Sequence, residues 1–395
     1  MKQLTKALTY VGVQDPDLRV FDIIMRTEYG TTYNAYLLRG EKKTALFETV
    51  KAGFADEFFS SLESVIDPAA IDYLIVNHTE PDHAGSVERL LSLNPNLTIV
   101  ATQTAIGFLR AIVNRDFTAL PVKAGDALDL GGQTLRFFAL PNLHWPDTMF
   151  TYIVEEKALV TCDAFGSHYA HAGILRSNVP DEATYLACGK YYFDNILGPF
   201  RRPFLQKALD TIADLPLDWI LTGHGPVLDS HISEWIATYR DWCRAPEKDK
   251  KTIAMPYVSA YGYTRALAEA IAEGASLGGA VEVHLYDMLV ADADEVMGDI
   301  AAADGLLFGT PTMLGEVLEP IWALLGRMAP LVHAGKRASA FGDYGWTGEG
   351  VPHVIERLKQ IRLKVADEGF RVRFKPTEAD LEAAKAFGRG FGEAL

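Results

Sequence analysis

Four residues able to bind a metal or carry a proton lie within one short stretch, the segment NHTEPDHAGS at residues 77–86. The spacing H-x-E-x-D-H places His78, Glu80, Asp82 and His83 directly after the apolar run IDYLIV. A loop at the end of a strand can wrap such side chains around one point. A surface loop can also hold four polar residues without function, so this stretch alone leaves both interpretations open.

Three later segments share this form, in which a polar residue directly follows an apolar run. They are His144 in ALPNLHWPD, Asp163 in LVTCDAFG and His224 in ILTGHGP. A single histidine of this kind is more often structural than a ligand. All the candidates together supply four imidazoles and three carboxylates, which is more than one tetrahedral ion binds. We therefore predict two metals that share a bridging carboxylate and keep open positions for a substrate.

The whole pattern resembles the flavodiiron proteins, also called A-type flavoproteins. The resemblance covers essentially the whole chain and rests on the motifs GTTYNAYLL, NHTEPDHAGS, LHWPDTMFTY, CDAFGSH and TGHGP. Hydrolases of the related metallo-β-lactamase fold bind zinc and have a histidine where Glu80 stands, and a carboxylate there favours iron. The resemblance implies these catalytic metal ligands: His78, Glu80 and His144 on one iron, Asp82, His83 and His224 on the other, and Asp163 as the bridge.

The chain divides into two parts with different sequence patterns. The first part mixes hairpins and helices, and the resemblance implies a metallo-β-lactamase-like αββα sandwich. The second part alternates five strand candidates with helices, which predicts a flavodoxin-like, doubly wound parallel five-stranded sheet. The polar stretch RAPEKDKK indicates a linker. We therefore predict a diiron domain at residues 1–248 and an FMN-binding domain at residues 249–395.

A flavodoxin-like sheet binds FMN at the carboxyl ends of its strands. The loop SAYGYT after the first strand is predicted to hold the phosphate through backbone N–H groups and hydroxyls. The loops GTPTMLGE and GDYGWTGEG are predicted to border the ring and the ribityl chain. No G-x-G-x-x-G follows a strand, so no dinucleotide-binding domain is expected. The predicted FMN contacts are Ser259, Ala260, Tyr261, Gly262, Tyr263, Thr264, Pro311, Thr312, Met313, Leu314, Gly315, Tyr344, Gly345, Trp346, Thr347 and Gly348.

The resemblance implies an oxidoreductase that depends on FMN and two non-haem irons. Its expected reactions are reduction of dioxygen to water, of nitric oxide to nitrous oxide, or both. It also implies an electron donor such as rubredoxin or a flavin reductase, and a head-to-tail homodimer or a dimer of dimers. Two alternatives are open: a dizinc hydrolase with a fused flavodoxin module, and a diiron and flavin gas sensor without turnover.

Composition narrows the class of partner. A net charge of −15 argues against nucleic acid or an anionic membrane surface. Three cysteines without a C-x-x-C pair argue against a disulfide framework or a rubredoxin-type centre. No signal peptide and no apolar run of about 18 residues is found, so we expect a cytoplasmic protein. The motifs VSAYGYT and LHWPDTMFTY resemble the oxygenic-phototroph branch, whose members usually carry a further C-terminal flavin reductase domain. This sequence has none, so it is either a natural two-domain protein or a truncated one.

Overall fold

The computed structural model describes residues 1–22, 25–244, 249–278 and 281–395. The chain divides into two compact units, Met1–Ala245 and Pro246–Leu395. The predicted domain boundary after residue 248 adjoins a stretch outside the described residues, and it stays a prediction. Within the described ranges, no helix has the length and apolar character that a bilayer span requires.

The first unit is built on two sheets. Its strands are β1 Lys2–Gln3, β2 Leu8–Tyr10, β3 Val13–Asp15, β4 Val20–Phe21, β5 Met25–Arg26, β6 Thr31–Tyr33, β7 Tyr36–Arg39, β8 Thr44–Phe47, β9 Tyr73–Ile75, β10 Thr98–Ala101, β11 Thr118–Pro121, β12 Ala127–Asp129, β13 Thr134–Ala139, β14 Met149–Ile153, β15 Ala158–Cys162 and β16 Trp219–Thr222. One sheet has the order β1-β2-β7-β8-β9-β10-β11, and the other has the order β12-β13-β14-β15-β16. Strands β3 with β6 and β4 with β5 form two small separate pairs.

Helices cover the outer faces of these two sheets. They are α1 Ala55–Glu63, α2 Pro81–Ala84, α3 Val87–Leu93, α4 Gln103–Val113, α5 Glu182–Tyr192, α6 Gln206–Thr211 and α7 Ile232–Cys243. Shorter 3-10 or π turns occupy Ala52–Phe54, Pro68–Ala70, Arg176–Asn178, Phe193–Leu197, Gly198–Phe200 and Arg201–Leu205. Side chains alternate between the two faces of a strand. Phe47 therefore packs in the core between the sheets, which also contains Phe137, whereas Leu46 packs in the core that contains the helices. This layering is the expected αββα sandwich.

The second unit is a doubly wound parallel sheet. Its strands are β17 Lys251–Tyr257, β18 Val281–Asp287, β19 Gly305–Gly309, β20 Thr312–Met313, β21 Glu316–Val317, β22 Arg337–Tyr344 and β23 Phe370–Arg373. The order β18-β17-β19-β22-β23 is parallel throughout, which confirms the flavodoxin-like prediction. Strands β20 and β21 have two residues each and pair as an antiparallel hairpin, which is too short to show an alternating sequence pattern.

Helices pack on both faces of the parallel sheet. They are α8 Tyr263–Leu277, α9 Ala293–Ala302, α10 Glu319–Arg327, α11 Pro330–His333, α12 Gly350–Gln360 and α13 Glu378–Glu393. Ile253 of β17 packs in one core with α8 and α13, whereas Ala254 packs in a second core with α9, α10 and α12. Both faces of the strands are therefore buried, and their carboxyl ends are the accessible edge.

Candidate functional sites

The predicted metal ligands follow strands of both sheets in the first unit. Asp163 comes directly after β15, His224 two residues after the end of β16 and His78 three residues after the end of β9. Asp82 and His83 lie within α2, a single turn that starts at a proline. Sequence alone predicts a loop there, and a proline at the first helical position explains the turn, because its fixed φ suits a helix start.

Asp163 lies at the centre of the ligand cluster. Its Oδ2 atom is 2.9 Å from Nε2 of His144 and 3.6 Å from Nε2 of His78. Its Oδ1 atom is 3.0 Å from Nε2 of His83 and 3.4 Å from Nε2 of His224. One carboxylate therefore faces two separate pairs of histidines, which is the arrangement of a ligand shared by two metal ions.

Each of the other two carboxylates belongs to one side of the cluster. Glu80 Oε2 lies 3.1 Å from Nε2 of both His78 and His144. Asp82 Oδ2 lies 3.0 Å from Nε2 of His224. The side chains thus fall into two groups with the same members as the ligand sets that the resemblance implies, and their role as ligands stays a prediction. Potential ligand atoms within each group lie within 4.8 Å of one another in His78, Glu80, His144 and Asp163, and in Asp82, His83 and His224.

The carboxylates favour positive charge on the imidazoles. Burial works to lower the pKa of His78, but hydrogen bonds with Asp147 and Glu80 raise that pKa to about 10. Burial also opposes the charged form of His144, yet Asp163 and Glu80 raise its pKa to about 10. The carboxylates attract cations, and a metal that binds neutral imidazole must displace the protons held there.

Outer partners fix the orientation of two imidazoles. Nδ1 of His78 lies 3.3 Å from Oδ2 of Asp147, which also accepts hydrogen bonds from the amide and the hydroxyl of Thr79, both at 2.8 Å. Nδ1–H of His224 donates to the carbonyl oxygen of Thr32 at 2.6 Å. Both rings therefore direct Nε2 toward Asp163, as metal-bound histidines with an outer partner do.

Sequence reasoning did not assign these outer partners. Asp147 stands three residues after His144 in the motif HWPD, and that proximity to a candidate ligand was an available signal. The contact with Thr32 uses a backbone carbonyl, so no residue type reveals it. His168 places Nδ1 2.9 Å from the hydroxyl of Thr31 and its ring centroid 5.3 Å from that of His224.

The cluster fits a pair of metal ions on two observations. Both carboxylate oxygens of Asp82 are buried and face the imidazoles of His224 and His83 without accepting a hydrogen bond from the described residues, so a bound cation would satisfy them. The donors are imidazole nitrogens and carboxylate oxygens, a set that suits iron. The thiol of Cys162 is buried and lies in a further group with His83 and Asp163, whose potential ligand atoms are within 4.8 Å of one another.

A cleft of about 310 Å³ opens at the carboxyl ends of β17, β19 and β22 in the second unit. That volume lies in the range of small-molecule pockets. Asp343 and Phe374 also line the cleft; Asp343 lies in the predicted loop GDYGWTGEG, but neither residue was among the predicted contacts. Eleven of the sixteen predicted FMN contacts line it: Ala260, Tyr261, Tyr263, Pro311, Thr312, Met313, Leu314, Gly315, Gly345, Trp346 and Thr347.

Three of the other predicted contacts shape the first loop. The hydroxyl of Ser259 accepts a hydrogen bond from the amide of Arg265 at 3.2 Å. Gly262 has φ of 83°, and a Cβ atom there would meet nothing within 4 Å, so glycine serves the turn rather than a close approach. Thr264 is buried, and its hydroxyl donates to Oδ1 of Asp343 at 2.5 Å. The loop therefore leads directly into the N-terminus of α8.

Two arginines of β23 hold the loop that follows β22. Arg371 Nη1 donates to the carbonyl of Gly348 at 3.1 Å, and Arg373 Nε donates to the carbonyl of Gly345 at 3.3 Å. Tyr344 is the last residue of β22. Tyr344 and Gly348 thus stand at the two ends of the loop that carries Trp346, rather than in the lining of the cleft.

Known proteins match both units. Residues 31–225 match the family described as ODP family beta lactamase, and residues 256–388 match the flavodoxin family. The chain is 41% identical over 390 residues to the flavo-diiron protein FprA2 of Clostridium acetobutylicum, covering 98% of this chain and 97% of that protein. It is 39% identical over 393 residues to the type A flavoprotein fprA of Rhodobacter capsulatus, covering 98% and 89%. It resembles the solved rubredoxin oxygen:oxidoreductase of Desulfovibrio gigas with a TM-score of 0.72 at 28% identity, covering 100% and 98%.

Proposed function

This chain belongs to the flavodiiron protein family, and we propose that it reduces dioxygen to water, nitric oxide to nitrous oxide, or both. Members of this family are oxidoreductases whose cofactors are FMN and a pair of non-haem irons. The observation that supports the proposal most directly is the position of Asp163, whose Oδ2 and Oδ1 atoms face different histidines at 2.9 and 3.0 Å.

We assign the irons to the two groups of side chains that Asp163 connects. The first group is His78, Glu80 and His144, and the second is Asp82, His83 and His224. When bound, the irons supply a site for the diatomic gas and electrons for its reduction. The protein contributes orientation, because Asp147 and the carbonyl of Thr32 keep Nε2 of two histidines turned inward.

We assign FMN to the cleft at the carboxyl ends of the parallel strands. The first loop offers hydroxyls and backbone N–H groups at the start of α8, which suit a phosphate. The loops around Leu314 and Trp346 offer flat and apolar surface for the flavin ring. When bound, FMN supplies electrons for the reduction of the gas at the irons.

We further propose that a small electron carrier such as rubredoxin, or a flavin reductase, reduces the FMN, and that the protein works in the cytoplasm. The similar protein of Desulfovibrio gigas is named rubredoxin oxygen:oxidoreductase, which supports that class of donor. A head-to-tail homodimer, or a dimer of such dimers, would bring the FMN of one chain to the irons of the other.

Metal analysis and gas assays test the function. We expect about two irons and about one FMN per chain, consistent with a two-metal site and one flavin cleft. Anaerobic protein reduced through its flavin should consume dioxygen, nitric oxide or both over repeated turnovers. Stoichiometric zinc without activity after iron reconstitution would support a hydrolase instead. One oxidation per chain without turnover would support a gas sensor.

Mixed dimers test the head-to-tail arrangement. One parent carries Asp163→Ala, which removes the shared carboxylate, and the other carries Thr264→Glu, which places negative charge where the phosphate is expected. Each parent should be inactive alone, and heterodimers should recover part of the activity, because one flavin then faces one intact ligand cluster. Heterodimers that form without any recovery would show that electrons pass within a chain.

A further inference from the structure

Asp343 places a carboxylate at the start of α8, inside the cleft. It lies near the end of β22, is half-buried and lines the cleft. Its Oδ1 atom accepts the hydroxyl proton of Thr264 at 2.5 Å. Thr264 is the second residue of α8, and its buried side chain directs its hydroxyl at Asp343, which lines the cleft. The contact therefore joins the ends of two strand-to-helix loops.

Both donor groups of Arg265 at this helix start already have acceptors. The amide of Arg265 donates to the hydroxyl of Ser259 at 3.2 Å. The guanidinium of Arg265 forms an ion pair with Asp287, so it does not serve as an uncommitted cation. A phosphate arriving at α8 would need the first-turn amides and the Thr264 hydroxyl, because these are the groups that bind anions at a helix N-terminus. A threonine hydroxyl has one proton and donates to one acceptor at a time.

Resting on the proposed FMN site, we propose that the Asp343 carboxylate competes with the phosphate of FMN for the start of α8. It thereby lowers the affinity for phosphorylated flavin relative to flavin that has no phosphate. Asp343 is thus a specificity-determining residue of the cleft.

Electrostatics give the reason for this competition. A carboxylate at a helix N-terminus is favourable when no other anion is present. A phosphate monoester brings about −1.5 to −2 charges to the same place, so the two anions repel each other. Burial raises the pKa of Asp343, while hydrogen bonds from the hydroxyl and the amide of Thr264 work to lower it. Binding of FMN therefore requires the carboxyl group to move away or to take up a proton.

Paired titrations with FMN and riboflavin test the proposal, because riboflavin has the same ring and ribityl chain without the phosphate. The full-length protein is stripped of flavin, and each Kd is measured from quenching of flavin fluorescence. In Asp343→Asn we expect the Kd for FMN to fall about tenfold, while the Kd for riboflavin changes less than about twofold, because only FMN carries the repelled charge.

A matched control uses another carboxylate at a helix start. Asp380 accepts the hydroxyl proton of Thr377 at 2.6 Å at the beginning of α13, and it does not line the cleft. Asp380→Asn should leave both flavin affinities unchanged. Asp343→Ser serves as a second variant, with folding checked by thermal melting, and it should change the ratio of the two Kd values in the same direction as Asp343→Asn.

The outcomes separate this inference from the proposed function. Unchanged or weaker FMN binding in folded Asp343→Asn and Asp343→Ser overturns the competition. An equal fall in the Kd values for FMN and riboflavin also overturns it, because the effect then does not depend on the phosphate. If the unaltered protein binds neither flavin, the assignment of FMN to this cleft fails instead, and with it the basis for the inference.

Discussion

The metal cluster and the flavin cleft are built in opposite ways. In the cluster, His78 and His83 are fully buried, and Asp163 is 2% exposed, with each contact made between charged or polar side chains. Around the cleft, Tyr261 and Trp346 are 76% and 82% exposed, and the surface is largely apolar. The comparison teaches that side-chain identity specifies the cluster, whereas the shape of the backbone and a few apolar rings specify the cleft.

Asp163→Ala should have the largest effect, because it removes the one group shared by both halves of the cluster. We expect iron content to fall from about two per chain toward zero and turnover to fall more than about a hundredfold, since the loss of an outer partner alone costs about 10- to 100-fold. Elemental analysis and gas-consumption assays measure both. Asp214→Ala, at an exposed aspartate, is the control. Normal iron content in Asp163→Ala would contradict the bridging role.

Glu80→His tests whether this carboxylate sets the choice of metal. The change replaces an anionic oxygen with an imidazole, so the iron-to-zinc ratio after reconstitution with equal metals should fall about tenfold. Gas reduction should be lost while the flavin cleft and the fold are retained. A variant with full activity and unaltered iron content would show that Glu80 is not a ligand. FMN content provides the internal control, because the two sites lie in separate units.

Sequence could single out the residues of the cluster, which the structure brings together, because metal ligands must be particular residue types; their role as ligands stays a prediction. The order of apolar runs also predicted the parallel sheet, since buried strands in alternation with helices have few other arrangements. The outer contacts were harder: Asp147 is one of many aspartates, and the acceptor at Thr32 is a backbone carbonyl. The short helix around Asp82 was interpreted as loop, because one turn is too short to show helical periodicity.

Asp147→Asn should affect the cluster less than the loss of a ligand. The variant keeps an acceptor for the amide of Thr79 but removes the charge that faces Nδ1 of His78. Iron affinity, measured by competition with a chelator, should fall about 10- to 100-fold, which is the usual cost of losing an outer partner. FMN binding should not change. Equal iron affinity in Asp147→Asn and Asp214→Asn would show that Asp147 has no such role.

The cleft was predicted less completely, and the reason is physical. Loops at strand ends were identified from their positions, and most of the residues expected there do line the cleft. Phe374 was not identified, because it follows the last strand, far along the chain from the other loops. Asp343 was not identified, because a carboxylate is not the residue type expected beside a phosphate. A site made by backbone shape leaves weaker signals in the sequence than a site made by ligands.

Trp346→Ala should have the smallest effect and is the sharpest test of the cleft. Trp346 lines the cleft and is 82% exposed, so its removal leaves no cavity in the core. If its ring packs against the flavin, the loss of one aromatic contact is worth about 0.5–1.5 kcal/mol, and the Kd for FMN should rise about two- to twelvefold. The Kd for riboflavin should rise by the same factor, because Trp346 contacts the ring and not the phosphate. This result would separate the role of Trp346 from that of Asp343.

Leu331→Ala is the control, because this apolar side chain is 72% exposed and does not line the cleft, and it should change neither Kd. Unaltered binding of both flavins in Trp346→Ala would place the flavin ring away from this loop.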